Sequence, residues 1–599
     1  MLLDQGVGGQ TDMHDTVLKA GTVVDGTGGP PFIADIAVKA GVIVEIGNIK
    51  AAAHRTIDLA GAIVAPGWVD IHTHYDGQAT WDDEFEGSSA NGVTTVVMGN
   101  CGVGFAPISS NGKDSLIELM EGVEDIPGSA LAAGIPWGAW ETFPEYLDFL
   151  GDRRWTVDVG TQLPHGALRY YVMGERAIEN LDASDDDLAK MADLTEEAVR
   201  AGALGFSTSR IQRHLSLSGR PIPGTYAPEL ELRSIANAIA RAGGAVFQAV
   251  PSHATDDAPG VPPEYSTMVD EIALFGKISR DTRLRCSLLT LQLNSEPNAW
   301  KDALRATTEE NSKGALLSPQ VAARSATMLT LLDGYHVFMR RPTYLRMAHL
   351  PTDQLAMQLK QPHVKEAILA ETDSPGEHPG AMRNRMPQIL AQKFAQTFPM
   401  RVPINYEPDP SESIQSQASR IGRDPFDVMY DLLLEDNGQG SAMVLLANYI
   451  DGNLEACRSM LADPHTVSGL GDAGAHVNFI CDMSLPTFLL THWVRDRTRG
   501  ERLPIELVVA KQTGQTARLY GLADRGSIEV GKRADINMID LSGLMIDRPV
   551  VQHDLPGGGS RILQRATGYI GTMLAGVLVR EDDRDTGERP GRLIRNHQK

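Results

Sequence analysis

The middle of the sequence consists of apolar runs of five to eight residues, each ending in polar residues. Most runs are followed by a stretch with helical spacing, such as DDDLAKMADLTEEAVRAG at 185–202. Short apolar runs that alternate with helices are typical of parallel strands joined by crossover helices. Eight such runs predict an α/β fold, a (β/α)8 TIM barrel: GWVDIHTH, TTVVMGNCG, VDVGTQLPHG, ALGFSTSR, GAVFQAVPS, LRCSLLTLQ, GALLSPQVAAR and TVSGLGDAGAH.

Both ends of the sequence have a different pattern, with short β-branched strands separated by Gly-rich turns. It begins with TVLKAGTVVDGTGG near the start and returns in RGSIEVGKRADINMIDL (525–541) and GYIGTMLAGVLVRED (568–582). Because chain termini often lie close together, the two ends can form one domain. We therefore predict a small β-sandwich domain from residues 1–65 and 521–599, with the barrel occupying 66–520.

A long stretch at about 327–441 interrupts the alternation before the last predicted strand. It contains Pro-rich turns such as DSPGEHPGAM and helical pieces such as DPFDVMYDLLLEDN. An insert of this length among the strand-end loops is typical of a lid or an oligomer contact. A surface elaboration without a catalytic residue is the alternative.

Composition narrows the class of protein. The net charge of −23 and a pI near 5.1 provide no basic patch for nucleic acid or an anionic membrane. The four cysteines form no CxxC pair, so neither a disulfide framework nor a zinc ribbon is indicated. No signal peptide or long apolar run is evident. We expect a cytoplasmic protein without nucleic-acid or membrane partners, either a monomer or a homo-oligomer.

Candidate chemistry gathers at the ends of the predicted strands, where the active sites of such barrels lie. His72 and His74 end the first run, and alternate residues of a strand point the same way. Sixteen histidines give roughly 0.4 such pairs by chance in 599 residues, so position carries the prediction. Cys101 ends the second run and Asp472 the eighth. Alone, Cys101 could be a small buried hydrophobe and Asp472 a turn residue.

Together these four side chains could form one metal site, with mixed His, Cys and Asp ligands that suit zinc better than magnesium. A divalent ion lowers the pKa of a bound water to about 7. Asp472 could then act as general base and afterwards return the proton to a leaving nitrogen. This is the hypothesis of a metal-dependent hydrolase.

The motifs GWVDIHTHYD, GVTTVVMGNCG and GLGDAGAH, together with GKRADINMID in the divided terminal domain, resemble the amidohydrolase superfamily. Within it the chain is most similar to the N-acyl-D-amino-acid deacylases (D-aminoacylases), in which the cysteine of NCG replaces a carboxylated lysine. The resemblance implies that His72, His74, Cys101 and Asp472 bind metal and that Asp472 is also the acid and base.

The sequence departs from that family at the fifth and sixth strands, which end there in histidines of a second zinc site. Here these strands read AVFQAVPS and LRCSLLTLQ, and only His253 follows nearby. We expect one zinc ion, and leave a second site, with or without His253, as an open alternative.

The family's lysine that holds the substrate carboxylate also has no counterpart. Arginines behind three strands could clamp a carboxylate bidentately, or could equally form structural salt bridges. His165 is the candidate for stabilising the carbonyl oxygen or transferring protons, as a second catalytic residue beside Asp472. The predicted substrate-binding residues are Arg169, Arg210, His214, Gln320 and Arg324.

The sequence therefore predicts a zinc-dependent hydrolase of a small-molecule amide, an N-acyl amino acid, with N-acyl-D-amino acids among the candidate substrates. A second hypothesis is hydrolysis of a cyclic amide, carbamate, aryl amide or ester by the same residues. A third, from another class, is a barrel that has lost its activity and serves in binding or assembly. The absent histidines of strands five and six motivate the third hypothesis.

Overall fold

A computed structural model describes residues 13–252, 265–376, 378 and 381–596. Its central sheet has eight parallel strands that follow one another in chain order. Each of the eight predicted runs contains one of them, so the predicted α/β barrel is confirmed. We label them β1 (Trp68–Asp70), β2 (Val93–Met98), β3 (Asp158–Pro164), β4 (Gly205–Ser209), β5 (Val246–Val250), β6 (Cys286–Leu289), β7 (Leu317–Val321) and β8 (Val467–Ser468).

Main-chain hydrogen bonds beyond the ends of β1 and β8 join the first strand to the last. The amide of Asp472 donates to the carbonyl of His72 over 3.0 Å, and the amide of His74 donates to the carbonyl of Ala473 over 2.8 Å. The carboxyl ends of β1 and β8 are thereby held side by side. This closure is what brings residues from opposite ends of the barrel sequence into one site.

Helices cover the outside of the barrel because each has one apolar face. In Asp185–Ala201 the buried side chains recur at helical spacing, and a capping box of Ser184 and Asp187 begins the helix. Gly202, at a φ of 122°, ends it in a conformation that glycine adopts freely. The other main barrel helices are Lys113–Glu124, Gly128–Gly134, Phe143–Gly151, His165–Met173, Glu229–Arg241, Met268–Thr282, Ala299–Ser312, Glu455–Ala462, Ile505–Gln512 and Gly514–Leu519.

Strands from both ends of the chain form one further sheet, as the repeated Gly-rich pattern predicts. Its two parts meet where Ile63–Pro66 pairs antiparallel with Ile536–Ile539. The domain boundaries at 65 and 520 stay predictions. The remaining strands of this sheet are His14–Val23, Phe32–Lys39, Val42–Gly47, Ala53–Asp58, Tyr569–Leu574, Val577–Glu581 and Arg584–Asp585.

The long insert after β7 has its own hydrophobic core and a three-stranded antiparallel sheet, formed by Thr327–Leu331, Thr397–Pro399 and Ser441–Leu445. It rests on the loop that follows β8, because the amide of Leu329 donates to the carbonyl of Phe479 over 2.6 Å. Its roles as a lid or an oligomer contact stay predictions. Its helices are Pro342–Leu345, Thr352–Leu359, Pro362–Ala370, Met382–Ala391, Ile414–Ile421 and Pro425–Leu433.

Two further antiparallel strand pairs are Met545–Ile546 with Ala566–Thr567 and, between them in sequence, Val550–Leu555 with Gly559–Leu563. Short helices lie at Glu86–Ser89, Glu175–Ile178, Leu485–Phe488 and Leu489–Asp496. Among the helices of the described ranges, none has the length and apolar character needed to cross a membrane.

Candidate metal centre

Three predicted ligands converge at the carboxyl ends of the barrel strands. The ligand atoms of His72, His74 and Cys101 all lie within 4.8 Å of one another, and the three side chains are buried. The sulfur of Cys101 is 3.5 Å from Nε2 of His72. The structure thus brings together the side chains that follow β1 and β2.

Asp472, in the loop that follows β8, also lies next to the two histidines. Its Oδ1 lies 3.4 Å from Nε2 of His72 and 3.9 Å from Nε2 of His74. Its side chain is 21% exposed, against 1% for either histidine. Of these three side chains, Asp472 is therefore the one with an open face.

The loops that carry these ligands have unusual backbone conformations. Cys101 has a φ of 55° and Asp472 a φ of 46°, both in the left-handed region that residues other than glycine rarely occupy. A Cβ on the neighbouring Gly471 would come within 2.5 Å of Oδ2 of Asp70, so the close approach of the two loops requires glycine. Such backbone strain is typical of functional sites.

Two of the separations between donor atoms have the length expected around a tetrahedral metal ion. Protein hydrogen bonds to nitrogen or oxygen span 2.7–3.2 Å. Zinc bonds of about 2.0–2.3 Å place the ligand atoms of a tetrahedral site about 3.3–3.6 Å apart. The distances from His72 to Cys101 and to Asp472 match, and that from His74 is slightly longer. Two imidazoles, a thiol and a carboxylate are a donor set that suits zinc.

The electrostatics of the group also favour a cation. Burial raises the pKa values of Asp472 and Cys101 well above their usual ranges, and Asp482 and Glu124 respectively add to these shifts. Burial lowers the pKa of His72 to about 4 and that of His74 well below its ordinary value. The protein alone therefore disfavours the carboxylate and thiolate forms, and a bound dication would offset that cost.

Gln320, predicted to bind substrate, instead lies behind His72. Its Oε1 is 2.8 Å from Nδ1 of His72, and its Nε2 donates to the hydroxyl of Ser287 over 2.9 Å. This network places the proton of His72 on Nδ1 and leaves the Nε2 lone pair toward Cys101 and Asp472. Holding the far nitrogen of a histidine in this way is how proteins orient metal ligands.

Glu124 lies on the same side of His74 as Gln320 does of His72, but without a hydrogen bond to the ring, and the sequence reasoning missed it. Its Oε1 lies 3.4 Å from Nδ1 of His74, and its Oε2 lies 3.5 Å from Nε2 of His476. Glu124 is the last residue of Lys113–Glu124, in the long connection between β2 and β3. The available signal was the pair of acids, Glu124 and Asp125, at a helix end where the dipole disfavours negative charge.

Both ring nitrogens of His165 have partners other than the four predicted ligands, and its catalytic role stays a prediction. Nδ1 of His165 is 2.9 Å from the hydroxyl of Thr208, and its Nε2 is 2.8 Å from Oε1 of Glu231. Pro164 ends β3 and His165 begins a helix, so its side chain lies in the layer between strands and helices. Arg169 joins the same buried network, with its Nε 2.8 Å from Glu231.

The other predicted substrate residues have different surroundings. Arg210 forms a buried two-contact ion pair with Glu271, at 2.7 and 3.2 Å. Nδ1 of His214 is 2.8 Å from the hydroxyl of Ser209. Burial, with smaller effects of His476 and His72, lowers the pKa of His214 to about 3.

Arg324 lies buried beyond the end of β7. Its Nη2 donates to Oδ1 of Asp482 over 3.0 Å, and its guanidinium stacks 3.9 Å over the ring of Tyr406. Within the part of the chain that the structure describes, its Nε and Nη1 have no hydrogen-bond partner. Arg324 therefore has two nitrogens, Nε and Nη1, without a partner among the described residues. Its partner Asp482 contributes to the raised pKa of Asp472.

Strands β5 and β6 carry no histidine at their described ends. Gln248 points from β5 between Ser207 and Ser287, and its amide is buried without a partner among the residues described. His253, the alternative ligand from the sequence, lies outside the described residues.

Comparison with known proteins finds a match to the family described as Amidohydrolase family over residues 55–580. D-aminoacylase of Alcaligenes xylosoxydans xylosoxydans is 25% identical over 585 residues, covering 97% of either chain. A solved D-aminoacylase, studied for its binuclear centre with one-metal activation and second-metal attenuation, aligns with a TM-score of 0.62 at 22% identity, covering 97% of this chain and 100% of the other. An N-acyl-D-glutamate deacylase from Bordetella bronchiseptica, complexed with zinc and a phosphonate inhibitor, aligns with a TM-score of 0.62 at 20% identity, covering 98% and 100%.

Proposed function

The chain belongs to the amidohydrolase family, and on that premise we propose that it is a zinc-dependent hydrolase of N-acyl amino acids. The observation that carries the proposal is the convergence of His72, His74, Cys101 and Asp472 at the carboxyl ends of the barrel strands. The relatives named above, D-aminoacylase and N-acyl-D-glutamate deacylase, support an N-acyl-D-amino acid as the first substrate to test.

His72, His74, Cys101 and Asp472 would hold the ion, which supplies Lewis acidity that acidifies water and polarises a carbonyl. Asp472 is the base in this scheme because its carboxylate is the open member of the group. It takes a proton from the attacking water as the new carbon–oxygen bond forms. Asp472 then gives that proton to the amide nitrogen, and the carbon–nitrogen bond breaks.

Arg324 is our candidate for binding the carboxylate of the amino acid. Its Nε and Nη1 have no hydrogen-bond partner among the described residues, whereas Arg169, with only Nη1 unpartnered, and Arg210 each hold a buried glutamate. Arg324 follows the carboxyl end of β7, and its partner Asp482 contributes to the raised pKa of Asp472. A guanidinium suits this role because it binds carboxylates through several directed donors.

We propose that each chain binds one zinc ion. Histidines are absent from the described ends of β5 and β6, and the buried polar side chain of β5 is the uncharged amide of Gln248, in the middle of the strand. One-metal activation of the D-aminoacylase mentioned above supports a mononuclear enzyme.

The test begins with zinc content per chain and a panel of N-acyl-D- and N-acyl-L-amino acids, hydantoins and aryl amides. Chelation should abolish hydrolysis, and zinc should restore it. Changing Asp472→Asn should lower kcat by about 10²–10⁴-fold, the usual contribution of general acid–base catalysis, whereas the surface control Asp540→Asn should not. Near wild-type turnover of Asp472→Asn with metal still bound would show that Asp472 is not the base.

A further inference from the structure

The carboxylate of Glu124 lies between two histidines of the barrel mouth. One oxygen lies 3.4 Å from Nδ1 of His74 and the other 3.5 Å from Nε2 of His476. Glu124 and His74 are both only about 1% exposed. In addition, the amide of His476 donates a hydrogen bond to the main-chain carbonyl of Glu124. Glu124 therefore contacts a metal ligand and the loop that carries Asp472.

The helix Lys113–Glu124 has two destabilising features at its C-terminal end. Two acids, Glu124 and Asp125, stand at its C-terminal end, where the helix dipole disfavours negative charge. Asp125 also has a φ of 52°, in the left-handed region. Two local costs at one position indicate that contacts elsewhere require this arrangement.

Those contacts come from the insert and from the loop after β8. The hydroxyl of Tyr335, in the insert, donates to Oδ1 of Asp125 over 2.7 Å. The side-chain Nδ2 of Asn478, two residues after His476, donates to Oδ2 of Asp125 over 3.2 Å. The ring of Tyr335 also stacks on that of Phe479, with centroids 5.6 Å apart. Asp125 thus joins the end of the helix to two separate segments.

Resting on the proposed function, which supplies the metal, we infer that Glu124 is a positioning residue linking the 327–441 insert to the ligand His74. Tyr335 holds Asp125, Asp125 sets where the helix ends, and the helix end presents Glu124 to Nδ1 of His74. At 3.4 Å the contact is electrostatic and not a hydrogen bond, and the negative charge of Glu124 favours a proton on Nδ1 of His74. Nε2 of His74 then faces Asp472, at 3.9 Å from its Oδ1. The insert, by this inference, stabilises the metal site without contributing a ligand.

The experiment measures zinc affinity by competition with a chromogenic chelator in Glu124→Gln and Tyr335→Phe. The matched control for Glu124→Gln is Glu118→Gln, on the same helix, whose carboxylate accepts a hydrogen bond from the main-chain amide of Ser218. The matched control for Tyr335→Phe is Tyr344→Phe, another tyrosine of the insert. Glu124→Gln should weaken zinc binding by about 10–100-fold, as is usual for partners of metal-binding histidines. Tyr335→Phe should weaken it by a smaller factor, and the two controls should leave it unchanged.

Two further measurements distinguish a positioning role of Glu124 from a general effect on protein stability. The visible spectrum of the Co²⁺-substituted protein should change in Glu124→Gln but not in Glu118→Gln. Thermal unfolding of the metal-free proteins should show Tyr335→Phe no less stable than Tyr344→Phe. If Glu124→Gln does not fold, Tyr335→Phe alone decides.

Unchanged zinc affinity in Tyr335→Phe, or an unchanged Co²⁺ spectrum in a folded Glu124→Gln protein, would overturn the inference. Failure of the proposed function looks different, because the wild-type chain itself would then bind no stoichiometric zinc or hydrolyse no amide.

Discussion

Replacing Glu231 with glutamine tests whether the buried network of His165, Arg169 and Glu231 contributes to stability or to catalysis. Glu231 is fully buried and holds Arg169 at 2.8 Å and His165 at 2.8 Å. Burial raises its pKa, but His165 and Arg169 outweigh this and lower it from 4.5 to about 2. At 1.36 kcal/mol per pKa unit, this shift is worth about 3 kcal/mol of folding free energy.

The sign of the pH dependence follows from that depressed pKa. The stabilisation is fully present above pH 4.5 and is lost as the pH falls toward 2, where Glu231 is protonated in the folded state as well. At pH 7 the Glu231→Gln protein also leaves the Arg169 charge buried without its partner. We therefore expect it to be less stable than wild type by about 3 kcal/mol at pH 7, with the difference shrinking below pH 4.5.

The assay is urea unfolding of both proteins between pH 3 and 7, combined with turnover per folded molecule. Glu229→Gln is the matched control, since Glu229 lies on the same helix in an exposed pair with Lys277. Because the network lies outside the metal site, turnover of folded Glu231→Gln should equal that of wild type. Large loss of turnover with little loss of stability would refute this placement and return His165 to the catalytic group.

Two other predictions concern the metal site and its substrate. Gln320→Leu should weaken zinc binding by about 10–100-fold because His72 loses the acceptor for its Nδ1 proton; chelator competition measures it, and unchanged affinity would contradict the role given to Gln320. Arg324→Lys should raise KM about tenfold or more for substrates with a free carboxylate, the equivalent of one charged hydrogen bond. Steady-state kinetics on matched amide and acid substrates check this, and equal effects on both would argue against a carboxylate contact.

The barrel and the convergence of the four predicted ligands could be predicted from the sequence because both follow simple rules. Apolar runs marked each strand, and the two-residue spacing of His72 and His74 placed both side chains on one face. Their convergence with Cys101 and Asp472 followed from the barrel architecture, in which strand ends share one mouth.

Side-chain direction after a strand ends could not be predicted in this way. His165 and Gln320 stand close behind strands, yet the start of a helix turns the first outward, while the second points back at His72. Glu124 was missed because it depends on the course of a long connection whose end is set by Tyr335 and Asn478. Contacts between segments so distant in sequence leave no periodic pattern.

The closure between β1 and β8 has a consequence for the order in which the protein matures. His72 and Asp472 are 400 positions apart in the sequence, yet adjacent main-chain groups hold them together. During synthesis the early histidines leave the ribosome long before Asp472 exists, so the complete ligand set forms only when the last strand docks. Zinc would then bind the finished barrel in preference to unfinished chains, and would shift the folding equilibrium toward it.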